Sequence, residues 1–112
     1  MIIGMLEREI ELLAQLLAEF EALRFPPGWH DREPGGTCLL TLATTLTACT
    51  AAALDGPLAT RHREHLSQRL ALLADLLPAF AADSYATGYF VALYRMASLA
   101  EEVDDRRAVE TG

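Results

Sequence analysis

The chain has 112 residues, 52% of them hydrophobic, with sixteen acidic side chains against nine basic ones and a net charge of −7. That length makes one domain with material for a real core, because two domains would each fall below the usual size. The charge excludes a general nucleic-acid binder, since a surface of that sign repels phosphate, and suits instead solubility or docking on a basic protein partner.

Leu and Ala dominate the apolar residues and β-branched residues are sparse, which favours helix over sheet. The start, Met1-Ile2-Ile3-Gly4, runs into Glu7-Arg8-Glu9 without the apolar stretch of a signal peptide, so a cytoplasmic protein is expected. Ile3, Leu6, Ile10, Leu13, Leu17 and Phe20 then step by threes and fours, the core stripe of an amphipathic helix. Leu12, Leu16 and Leu23 widen that stripe, and Glu7, Arg8, Glu11, Gln15, Glu19 and Glu21 fill the other side. Pro26-Pro27-Gly28 ends the helix near Arg24 by removing backbone donors.

Residues 25–36 form a long Pro/Gly-rich loop that carries the only Trp. Trp29, with Phe25 and His30 beside it, is either a lid folded over one end of the domain or an exposed anchor for a partner. Packing as a lid is the ordinary fate of a large aromatic in a loop.

The second helix is expected over 37–54, with Leu39, Leu42, Leu46, Cys49 and Ala53 on one stripe. It holds six Thr and no charge, a composition that predicts burial on several sides. Its uncharged length approaches that of a membrane span, but the Thr content makes it weakly apolar and no anchor residues follow, so no membrane is expected. Cys38 and Cys49, eleven positions apart on one helix, would lie about 16 Å apart, beyond disulfide reach. Both are expected to be buried thiols in a reducing compartment.

Asp55-Gly56-Pro57 breaks the chain, and a third helix is expected from Pro57 to Leu77 on Leu58, Leu66, Leu70, Leu73 and Leu77. Pro78 stops it. Asp83 or Ser84 caps a fourth helix, which reaches Val103 through Tyr85, Tyr89, Phe90, Leu93, Met96 and Leu99. Gly88 inside that helix predicts a close-packing contact. The expected fold is therefore all-α, an antiparallel (up-down-up-down) four-helix bundle over residues 1–105, with a flexible tail over 106–112. In it, residues 1–11, 50–66 and 98–105 share one end, and residues 20–40 and 75–85 the other.

Arg61-His62-Arg63-Glu64-His65 sets cations in the first turns of a helix, against its dipole, so neighbouring carboxylates should offset them. Solvent-exposed ion pairs are the ordinary reading. The sharper one is a metal or acid–base site in which His62 and His65, on one face at i and i+3, are joined by a carboxylate such as Glu101. No zinc or di-iron spacing supports it, and no cofactor is expected. The strip Ala100-Glu101-Glu102-Val103-Asp104-Asp105 resembles the acidic pairs by which helical-bundle nucleotide pyrophosphatases bind magnesium, though no matching strip occurs on another helix. The spacing of Arg24 and His30 is similar to the Arg/His pair of HEPN-like helical-bundle ribonucleases, but Pro26-Pro27-Gly28 intervenes and keeps the pair off a helix face. No Gly-x-Ser-x-Gly and no phosphate loop occur, so no catalytic residue is assigned.

These features predict a small, non-enzymatic protein–protein interaction module of the accessory, adaptor or immunity type. It should be a homodimer, because apolar surface such as Tyr94 and Val91 on the outer side of helix four exceeds what one bundle covers. Phe25, Trp29, His30, Arg61, Arg63 and Tyr94 are the candidate contacts, and the two ends of the bundle are where function is expected. The alternative is a metal-dependent or HEPN-like hydrolase or nuclease built on the His/carboxylate end.

Overall fold

The computed structural model describes residues 4–111 and holds four helices: α1 (Met5–Glu21), α2 (Leu39–Asp55), α3 (Thr60–Leu76) and α4 (Ser84–Thr111). Two short 3-10 turns, Pro34–Gly36 and Leu77–Phe80, complete the regular structure, and no strand occurs among the described residues. Ile3, the first member of the expected stripe, lies outside them.

Helix α4, with 28 residues, is the central element and packs against all three others. Its Phe90, Leu93, Met96, Ala97, Ala100 and Val103 are buried against Leu13 and Phe20 of α1, Leu42 and Leu46 of α2, and Leu66, Leu70 and Leu73 of α3. Thr50, a fully buried polar residue, satisfies its hydroxyl by donating to the Leu46 carbonyl one turn back, at 2.9 Å. Side-chain contacts join residues far apart in the chain. Arg63 near the start of α3 meets Asp104 and Asp105 near the end of α4, and Arg106 of α4 pairs with Glu9 of α1. At the opposite end, the Tyr85 hydroxyl donates to the Arg24 carbonyl at 2.5 Å.

Four expectations need correction. Helix α4 does not end at Val103, and the tail expected from residue 106 is helical to Thr111. Asp104, Asp105, Arg106 and Arg107 read as a solvated end, yet each has a distant partner. The Asp104 carboxylate accepts from the Leu58 N–H at 2.8 Å, and Arg107 donates to the Gly56 carbonyl at 2.7 Å and to the Ala53 carbonyl. Arg107 thereby satisfies the last carbonyls of α2, which its own helix leaves without donors. Helix α3 starts at Thr60 and not at Pro57, because Asp104 holds the Leu58 amide in an extended link. Gly88 is exposed, and a Cβ built there meets nothing within 4 Å, so it makes no close-packing contact.

The fourth correction concerns α2. It is buried on one side only: Leu40, Thr44, Ala48 and Ala51 face outward and are exposed. The lack of charge on this helix leaves an uncharged outer surface. No helix among the described residues is long and apolar enough to cross a membrane.

Candidate functional site

The charged end is a set of internal pairs. Arg63 lies 3.4 Å from Asp104, 2.5 Å from Asp105 and 3.5 Å from Glu101. The Ser67 hydroxyl donates to Glu101 at 2.7 Å. Charge-assisted hydrogen bonds that Arg63 donates to these carboxylates, Asp105 above all, hold its guanidinium more firmly protonated than usual. Glu101 is therefore engaged with a serine and an arginine. His62 and Arg61 are exposed on the surface beyond, and His65 is half-buried. Among the described residues no three His, Cys, Asp or Glu side chains come together as a metal site.

The opposite end is closed by the loop. Trp29 is only 7% exposed, so of its two readings the structure selects the lid, and it is no exposed anchor. Its ring meets Phe80 edge-on at 4.9 Å, and Phe80 stacks on Phe90 at 4.2 Å. Its indole N–H donates to Asp83 at 2.9 Å, while the other oxygen of that carboxylate accepts the Ala86 N–H at 3.0 Å and so caps α4. The amide hydrogen bond and then the indole bond hold the Asp83 carboxyl below the usual carboxylate range. Arg32 covers the outer face of the indole at 4.5 Å. Phe25 is half-buried, packed edge-on to Tyr89 and Phe90, with exposed His30 against its outer face at 4.6 Å. Tyr94 is half-buried beside the core.

Apart from a cleft at the loop end, lined by Arg24, Pro27, Asp83 and exposed Tyr85, the uncovered apolar surface lies along the helices. One part of it is a groove of about 280 Å³ between α1 and α4, lined by Leu16, Phe20, Leu23 and Ala92 together with Glu19 and Arg95. Leu12, at 46% exposure, and Leu23, at 42%, stand open beside it. Sequence reasoning placed these leucines on the core side. The signal was present, because Met5, Leu12, Leu16 and Leu23 follow steps of seven, four and seven. That row lies about 100° around the helix from Leu6, Ile10, Leu13, Leu17 and Phe20. A second groove runs over the outer face of α2, from Leu40 through Thr44 and Ala48 to Ala51.

No family model, curated protein or solved structure matches this chain.

The two cysteines differ. Cys49 is half-buried, and burial raises its pKa. Cys38 is exposed and not a buried thiol. Gly35 and Gly36, at φ 62° and 76°, turn the chain so that α2 starts at Leu39 and Cys38 takes the N-cap position. The Thr41 hydroxyl donates to its sulfur at 3.3 Å, and this bond is the main cause that lowers the thiol pKa. Alkylation of Cys38, followed by mass spectrometry, is therefore expected to begin at lower pH than that of Cys49 and to run several-fold faster at neutral pH. Thr41→Val should move the Cys38 profile upward in pH, and equal rates at the two cysteines would refute this assignment.

Proposed function

We propose that this protein is a non-enzymatic helical interaction module, cytoplasmic and self-associating, of the accessory, adaptor or immunity type. The observation that carries this reading is the exposed apolar row Met5, Leu12 and Leu23 beside an apolar groove, on a chain whose two ends are occupied by internal contacts. Contiguous apolar surface of this kind marks protein contact sites. The net charge of −7 suits a basic protein as the further partner.

Sedimentation velocity over the micromolar range tests self-association. A concentration-dependent species of twice the monomer mass is expected, and a monomer at every concentration would sink the homodimer reading. Metal analysis tests the non-enzymatic reading. Stoichiometric metal in the purified protein, lost on His62→Ala/His65→Ala, would overturn it in favour of a hydrolase at the charged end.

A further inference from the structure

We infer that the α1/α4 groove is the surface through which two copies of this chain pair, about a two-fold axis that passes between Glu19 and Arg95; this rests on the self-association proposed above. The occupant follows from charge. A chain of net charge −7 repels its own copy over most orientations, so a self-contact must use a surface that is locally neutral. The groove is such a surface: Glu19 and Arg95 are the charged residues that line it, one acid and one base.

Their placement is self-complementary. A two-fold rotation about an axis between them sets Glu19 of one protomer over Arg95 of its partner and repeats the pair on the other side. Both residues are available for it. Arg95 is exposed, and it forms no ion pair among the described residues. Glu19 is exposed and steadied by Gln15, whose amide donates to it at 3.0 Å. Leu16 and Leu23, which line the same groove as the two charges, and exposed Leu12 supply the apolar surface that such a contact needs. The groove over the outer face of α2 lacks this feature, because Glu21 lines it with no base opposite, so a two-fold contact there would set like charges together.

Charge exchange tests the pairing. Glu19→Arg and Arg95→Glu are each expected to weaken dimerisation about tenfold in sedimentation, because each sets like charges opposite one another. The double variant should recover the wild-type association within a few-fold. Both positions are exposed, so circular dichroism should show unchanged helix content in all three proteins. Leu23→Glu should abolish the dimer, whereas Ala48→Glu on α2 should leave it intact. A wild-type monomer would overturn the proposed self-association itself. A wild-type dimer that ignores both single changes, or that is broken by Ala48→Glu, would leave self-association standing and remove the groove as its interface. Failure of the double variant to recover would overturn the Glu19–Arg95 pairing.

Discussion

Trp29→Ala is expected to lower the unfolding free energy by about 3–5 kcal/mol, read as a fall in the urea midpoint. The lost indole leaves a void against Phe80, whose other face is stacked on Phe90. It also removes the donor to Asp83. The loss is a large part of the stability of an ordinary small domain. Trp29→Phe should recover much of the packing but not the hydrogen bond, so the difference between the variants isolates the Asp83 contact. That contact is sensitive to acid. The folded pKa of Asp83 is lowered, so its stabilisation is complete above the unfolded carboxylate pKa and is lost as pH falls through the folded value. Trp29 fluorescence should therefore report opening of the lid only below the usual carboxylate range. In Asp83→Asn, the indole signal should lose that low-pH step. A step that persists would assign the transition to other carboxylates.

Arg63→Ala is expected to cost about 1–3 kcal/mol, because it strips the shared cation from three carboxylates and leaves them facing one another. The figure lies below that of a fully buried pair because the Arg63 side chain is a quarter exposed. Asp104, at 11%, is the partner that suffers most, and it also holds the Leu58 amide that leads into α3. Arg63→Lys should recover only part of the loss, since a single ammonium cannot serve all three acids as the guanidinium fork does. Chemical denaturation of the two variants measures this. Equal stability of Arg63→Ala and the parent would mean that the pairs are only solvated contacts.

The core face of α1 was legible because threes and fours on one helix need no knowledge of the rest of the molecule. Asp83 was legible as a cap for the same reason, since the bond to Ala86 is local. The end of α4 was not. Asp104 to Arg107 are polar, and only partners more than forty residues away, at Leu58, Arg63 and Gly56, make them structural. The exposure of Cys38 was hidden because it depends on where two left-handed glycines release the chain into α2. At the groove, single residues were visible, but the sequence ranked Leu12, Leu16 and Leu23 with the core. A helix wheel cannot tell which of two adjacent apolar rows its neighbours will cover.

The position of α4 bears on how the domain comes into being. It is the last of the four helices to leave the ribosome, and it is the one against which the other three pack. Until it emerges, α1, α2 and α3 lack their shared partner, and the carbonyls of Ala53 in α2 and of Gly56 just beyond it await Arg107. A nascent chain halted before residue 84 would therefore present its leucine faces to the cell's chaperones. Assembly should come as one late, concerted step instead of helix by helix.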